Sequence, residues 1–213
     1  MPRGAKLALI GESGAGKSTL LELLAMILRP TRATRFEFRP HVDGATYDIA
    51  NLWAQRATDA LGRLRSRHIG YVLQHGGLLP YLSVKRNIEL SCELLGQPVA
   101  DVAARLAARL GIEGQLQRLP AELSVGQRQR AAIARALAHA PAIVIADEPT
   151  AAIDPINAER TVALLGELAD ELGVTLILAT HAHSLVREAG FTLRTMAPVA
   201  RDAVGMTVEL VDA

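Results

Sequence analysis

The chain has 213 residues, half of them hydrophobic and only 3% aromatic, with a formal net charge of +1. That length suits one domain, or one domain with a subdomain, around an aliphatic core. So small a charge excludes long-range attraction to nucleic acid or to an anionic membrane as an organising principle, and Arg-rich pieces such as Arg63-Leu64-Arg65-Ser66-Arg67 read as solvated surface.

The first element is Lys6-Leu7-Ala8-Leu9-Ile10, an apolar run that reads as a buried strand. It leads into Gly11-Glu12-Ser13-Gly14-Ala15-Gly16-Lys17-Ser18-Thr19, which has the pattern G-x-x-x-x-G-K-[S/T]. A helix is predicted from Lys17 to Leu28, apolar nearly all round and ended by Pro30. Strand, Gly-rich loop and helix is the setting in which such a loop binds phosphate. Gly11, Gly14 and Gly16 let successive N–H groups point at one spot, and the helix N-terminus adds partial positive charge there. Lys17 is placed to reach the β- and γ-phosphates, and the Ser18 hydroxyl to ligate Mg²⁺. The plain alternative is a Gly-rich turn that binds nothing.

Residues 34–49 alternate, with Asp43-Gly44 as a turn signal, and read as antiparallel strands. Residues 51–66 look helical but irregular, with no role assigned to Trp53. Ile69-Gly70-Tyr71-Val72-Leu73 reads as a strand that delivers Gln74 at its carboxyl end, where ligands sit in open α/β sheets. Ser83 to Leu119 reads as a small helical subdomain, interrupted at Gly96-Gln97-Pro98 and Gly111. Cys92 falls within it as a small core residue, and one cysteine allows no internal disulfide.

Leu123-Ser124-Val125-Gly126-Gln127 opens an Ala-rich helix, Arg128 to His139, with Ser124 as N-cap. Ala142 to Ala146 is a fully apolar strand ending in Asp147-Glu148-Pro149. Adjacent carboxylates at the end of a buried strand need a partner, and Mg²⁺ supplies one. Asp147 would hold the metal and Glu148 would polarise an attacking water, against the alternative of an N-cap plus a solvated acid. Ala151-Ala152-Ile153-Asp154 is a turn before a helix from about Ile156 to Leu172. Val174 to Thr180 is another buried strand, and it ends in His181, which can donate a hydrogen bond to a γ-phosphate. A His181–His183 metal pair is disfavoured, because no Cys or third His accompanies them. Phe191 to Met196 and Thr207 to Val211 are weaker β runs. The N-terminus shows no signal peptide and no apolar run is long enough to span a bilayer, so any membrane role is expected to need a partner.

These residues, in this order, resemble the ATP-binding subunit of an ABC transporter over nearly the whole chain: a Walker A loop at Gly11–Thr19, a Q-loop at Gln74, a signature at Leu123–Gln127, a Walker B at Ile143–Glu148, a D-loop at Ala151–Asp154 and an H-loop at His181. The stretch Arg67 to Gln74 with Leu78-Leu79-Pro80 looks most like the lipoprotein-releasing, macrolide-export and cell-division subgroup. The resemblance implies an α/β P-loop NTPase fold with a mostly parallel sheet flanked by helices, a small helical subdomain and a reduced antiparallel β part. The whole chain, 1–213, is then one ABC ATPase domain, with a RecA-like core at about 1–82 and 120–213 and the helical subdomain at about 83–122.

The resemblance also implies a mechanism. Two ATP-binding subunits, alike or different, close head to tail around ATP and Mg²⁺. Gly11, Ser13, Gly14, Ala15, Gly16, Lys17, Ser18 and Thr19 hold the nucleotide, and Ser124, Gly126 and Gln127 contact it from the other subunit. Ser18, Gln74 and Asp147 attend the metal, and Glu148, His181 and Gln74 serve catalysis. An integral membrane permease is the further partner and nucleic acid is not, which places the chain in the cytoplasm, peripheral on the inner face of the membrane. The function implied is ATP hydrolysis that energises transport; the alternatives are a regulatory ABC ATPase signalling through a membrane partner, or a soluble ABC ATPase outside transport. The sequence departs from the family in two places. Val125 stands where the signature usually has Gly, and a β-branched residue there restricts the backbone. The chain also reaches Gly11 after only ten residues, whereas the family has an adenine-stacking aromatic further upstream; either the start is misassigned or adenine is held otherwise, as by a partner.

Overall fold

Aliphatic runs become strands wherever both faces of the chain are covered. In the computed structural model, which describes residues 1–151, 153–201 and 206–212, the order is β1 (Lys6–Ile10), α1 (Lys17–Leu24), β2 (Glu37–Phe38), β3 (Tyr47–Asp48), α2 (Ile49–Ala54), α3 (Thr58–His68), β4 (Ile69–Val72), α4 (Val84–Leu94), α5 (Val102–Leu110), α6 (Val125–Leu137), β5 (Ile143–Asp147), α7 (Pro155–Leu172), β6 (Thr175–Ala179), α8 (His183–Glu188), β7 (Thr192–Arg201) and β8 (Met206–Asp212). Among the described residues the main sheet has the order β4-β5-β6-β1-β7-β8. Every neighbouring pair in it is parallel except β7 with β8. β2 and β3 form the small antiparallel pair expected for residues 34–49.

Side chains alternate across the sheet, as the two-residue period of a strand demands. Ala8, Val144, Ala146, Leu176 and Leu178 face one core with Ile133, Leu137, Leu165 and Leu168. Leu9, Ile145, Ile177 and Ala179 face the other, with Leu21, Met26, Ile49 and Leu61. Burying each such Leu or Ile contributes roughly 1.5–3 kcal/mol, so both layers hold the sheet flat against helices. Cys92 is buried as expected, its thiol donating to the Ala138 carbonyl at 3.2 Å. Trp53 is half-buried against the second core.

Two predicted helices have different bounds. α1 stops at Leu24 rather than Leu28, and Ile27 and Leu28 are exposed rather than buried. Met26 takes a left-handed conformation (φ 58°), and the bonds Ile27 N–H to Glu22 O and Met26 N–H to Leu23 O close the end. That is the αL helix stop usually built on glycine, so Pro30 is not what ends the helix. α6 starts at Val125, three residues before Arg128, because Ser124 caps it. Its N-cap forms a reciprocal box: Ser124 Oγ accepts from Gln127 N–H at 3.2 Å, and Gln127 Oε1 accepts from Ser124 N–H at 2.9 Å.

The segment between β4 and α6 is helical, as expected. Asn87 is fully buried there, accepting from Leu79 N–H and donating to the carbonyls of Leu79, Leu82 and Ser83. It ties the chain entering α4 to α4 itself.

Candidate nucleotide site

Strand order decides which loops meet. In β4-β5-β6-β1 all four strands run the same way, so their carboxyl ends share one edge of the sheet. That edge carries Gln74 after β4, Asp147 and Glu148 at β5, His181 after β6 and the glycine-rich loop after β1. Glu148 N–H bonds Ala179 O at 3.0 Å and Thr180 N–H bonds Leu9 O at 3.2 Å, extending the ladder to the rim.

Ser13, Gly14, Gly16, Lys17, Ser18, Thr19, Gln74, Glu148, Ala151 and His181 line one cavity of about 360 Å³. Gly16 caps α1 in a left-handed conformation (φ 88°) and offers no side chain to its N–H groups. Those donors therefore stay available, beside the positive end of the helix. Lys17 is 6% exposed. Its Nζ donates to Gly11 O at 2.9 Å and Glu12 O at 3.0 Å, and lies 3.5 Å from His181 Nε2. The loop's own carbonyls hold the ammonium inside the cavity.

Glu148 is the one residue here with strained backbone, at φ 45°. A non-glycine residue held in that region marks a site whose surroundings over-determine it. Its Oε1 lies 3.0 Å from His181 Nε2. Burial pushes the Glu148 carboxyl above the usual carboxylate range, His181 and Lys17 pull it down, and Asp147 adds to the upward push. Thr180 was not singled out from the sequence; its hydroxyl accepts from Ala182 N–H at 3.0 Å and fixes the turn that carries His181.

Asp147 Oδ1 is buried without a hydrogen-bond partner. A bare carboxylate oxygen is costly, and a hard divalent cation shared with substrate phosphates is the kind of ligand that removes the cost. Ser18 and Gln74 line the cavity, and Asp147 immediately precedes the lining residue Glu148; carboxylate, hydroxyl and amide oxygens are hard donors of the kind Mg²⁺ takes.

Ser124, Gly126 and Gln127 do not line this cavity. They sit at the N-terminus of α6, where Ser124 is exposed. Val125 is the first residue of the helix and has no positive φ, so its backbone conformation is one a branched residue can adopt. Ala151 is a turn residue, Ala152 lies outside the described residues, and Asp154 caps α7 by accepting from Asn157 N–H at 3.1 Å.

A sequence profile described as ABC transporter matches residues 1–151, the stretch that carries every motif from the glycine-rich loop to Glu148. The chain belongs to the ABC transporter family. Relatives in the family include a methionine import ATP-binding protein, MetN, of Bradyrhizobium diazoefficiens, 41% identical over 88% of this chain and 52% of that protein. The lipoprotein-releasing system ATP-binding protein LolD of Shewanella denitrificans is 36% identical over 86% of this chain and 75% of its own length. The chain thus spans about half the length of the methionine-import relative. Among solved structures, a dimeric post-hydrolysis state of the ATP-binding cassette MJ0796 bound to ADP and Pi superposes with TM-score 0.75 and 30% identity, covering 92% of this chain and 82% of that one. These matches bear out the ABC resemblance and the α/β cassette fold.

Proposed function

We propose that this chain is the ATP-binding and ATP-hydrolysing subunit of a membrane transporter, working as a dimer that closes on ATP and opens after hydrolysis. The observation that carries the reading is the shared rim: Lys17, Ser18, Gln74, Glu148 and His181 face one cavity of about 360 Å³ at the open N-terminus of α1. The N–H groups of the glycine-rich loop and Lys17 bind the phosphates. Ser18, Asp147 and Gln74 would hold Mg²⁺, which supplies charge neutralisation between β- and γ-phosphates.

Glu148 takes a proton from water as that water attacks the γ-phosphorus. The bond from phosphorus to the β-phosphate oxygen breaks, and ADP and phosphate leave. His181, whose Nε2 lies 3.0 Å from Glu148 Oε1, stands beside the carboxylate and donates toward the γ-phosphate once ATP is bound. Ser124 is exposed and Gly126 and Gln127 are half-buried, all three outside the cavity, which suits a contact made to the nucleotide of a second subunit. The matching solved structure's title describes a dimer.

Leu73 and Tyr81 are exposed, at 48% and 74%, on either side of the Gln74 loop. They offer an apolar seat for a permease segment next to the residue that attends the metal. No helix among the described residues is long and apolar enough to cross a membrane, so the permease would be a separate chain or segment and this domain peripheral to it, on the cytoplasmic side. The domain proposed is a nucleotide-binding core at about 1–82 and 120–213 with a helical subdomain at about 83–122.

The direct test is phosphate release with Mg-ATP from the native chain and from Glu148→Gln. Removal of a general base costs roughly 10²–10⁴-fold in turnover, and ATP affinity should stay within about twofold, since no ATP-binding group is removed. Equal turnover by Glu148→Gln would remove Glu148 from the chemistry. Co-purification of the tagged chain from native membranes tests the partner, with a stoichiometric polytopic protein expected.

A further inference from the structure

After β4 the chain turns sharply: Gly76 N–H bonds Leu73 O at 2.9 Å, and Gly76 and Gly77 both have positive φ. Those conformations turn the two carbonyls toward the same neighbour. Arg135, in the last turn of α6, donates from Nη1 to Gly77 O at 2.7 Å and from Nη2 to Gly76 O at 3.1 Å. The guanidinium is half-buried, and among the described residues no salt bridge joins it to a carboxylate. Its charge is balanced by carbonyl dipoles alone.

The loop backbone is also pressed on the same helix. A Cβ on Gly76 would lie 3.5 Å from Ala132 Cβ and 3.5 Å from Arg128 O. Six residues earlier, a Cβ on Gly70 would overlap Ala136 O, so β4 and α6 touch backbone to backbone. β4, the turn and α6 are therefore packed directly on one another, and Gln74 lies between β4 and the turn that Arg135 holds.

We propose that Arg135 is a positioning residue for Gln74: its fork on the Gly76 and Gly77 carbonyls fixes the Gln74 loop to the helix whose other end carries Ser124. The proposal rests on the ATPase reading above for its kinetic consequence, but not for its structural one. The helix from Ser124 to Arg135 spans about 16 Å at 1.5 Å per residue. Any tilt of the Ser124 end on meeting a second subunit is then delivered, through Arg135, to the amide that attends the metal and the water. A lysine cannot do this, because a point donor cannot span two carbonyls in a fixed fork.

The test uses Arg135→Lys and Arg135→Gln in the full chain. Hydrogen exchange without nucleotide should speed up at residues 74–78 by about tenfold or more, with β4 and the first turns of α6 unchanged. With Mg-ATP, kcat should fall about tenfold while KM stays within about twofold, the signature of a misplaced reacting group. In a Gln74→Ala background the same Arg135 change should lower kcat no further.

Native exchange at 74–78 in both variants would overturn the assignment. So would faster exchange spread equally over β4 and α6, which would make Arg135 a general packing residue, or kcat losses that multiply with Gln74→Ala. Absence of ATP turnover in the native chain would instead strike the ATPase reading, and the exchange result would still judge the strut.

Discussion

Two helix N-termini in this chain, both proposed to meet phosphate, start from opposite states. At α1 the capping position is Gly16, which gives its N–H groups no side-chain partner. At α6 the capping position is Ser124, which with Gln127 satisfies its own end reciprocally. The first end is open, enclosed by a cavity and held beside a buried lysine. The second is closed on itself and exposed. A helix end left unsatisfied inside a fold is ready for an anion, whereas a satisfied end exchanges one partner for another and gains only the difference. On the proposed function, the open end would set nucleotide affinity, and the closed end would set whether bound nucleotide draws in a second subunit.

The largest break comes at the open end. Lys17→Ala should weaken Mg-ATP binding by about 2–5 kcal/mol, as for truncating one partner of a close charge pair; a fluorescent-nucleotide titration reads it, and unchanged affinity would remove the glycine-rich loop from phosphate binding. At the closed end, Ser124→Asp separates stability from function. Aspartate caps as well as serine, so the melting temperature should hold, but its charge faces the phosphate of the opposing subunit and should abolish ATP-driven pairing seen by light scattering. Pairing that persists would place Ser124 away from the nucleotide. Ser124→Ala is milder: loss of the cap should cost about 1 kcal/mol, or roughly 2–4 °C in a calorimetric scan.

The smallest effect is a matter of pH. Burial raises the Glu148 carboxyl above its ordinary range. The base form is then lost at a higher pH than for a free glutamate, so the acid limb of kcat should lie above the usual value of about 4.3. The same sign governs stability: a raised folded pKa favours the protonated form, and that contribution is lost as pH rises through it. Glu148→Gln, neutral at every pH, should therefore melt no lower than the native chain at neutral pH. A clearly lower melting temperature would mean that the ionised carboxylate stabilises the fold.

Much of this contrast could be read from residue types. The order of strand, glycine-rich loop and helix, and the polar residues at strand ends, mark Lys17, Gln74, Glu148 and His181 by residue type; that they share one edge follows from the strand order. Ser124 as N-cap was equally legible, since serine three residues before Gln127 is a capping signature. What spacing could not show depends on long-range contact or unusual backbone. The stop of α1 at Met26 uses a left-handed methionine, where sequence rules look for glycine or proline. The αL conformation of Glu148 leaves no mark in the residue type. The contact of Arg135 with Gly76 and Gly77 joins segments 58 and 59 residues apart, and an arginine in an Ala-rich helix reads as surface until its partners are seen. Val125 went the other way: a departure from the family pattern that implied restriction proved to lie within a regular helical turn.

The central claim is that the open end of one subunit and the closed end of another meet across ATP. The measurement that tests it most directly is light scattering of Glu148→Gln on a sizing column, with and without saturating Mg-ATP, beside the double variant Glu148→Gln, Ser124→Asp. The account predicts a dimer that forms with nucleotide in the first and a monomer in the second. A first variant that binds ATP yet stays monomeric, or a double variant that pairs equally well, would contradict it.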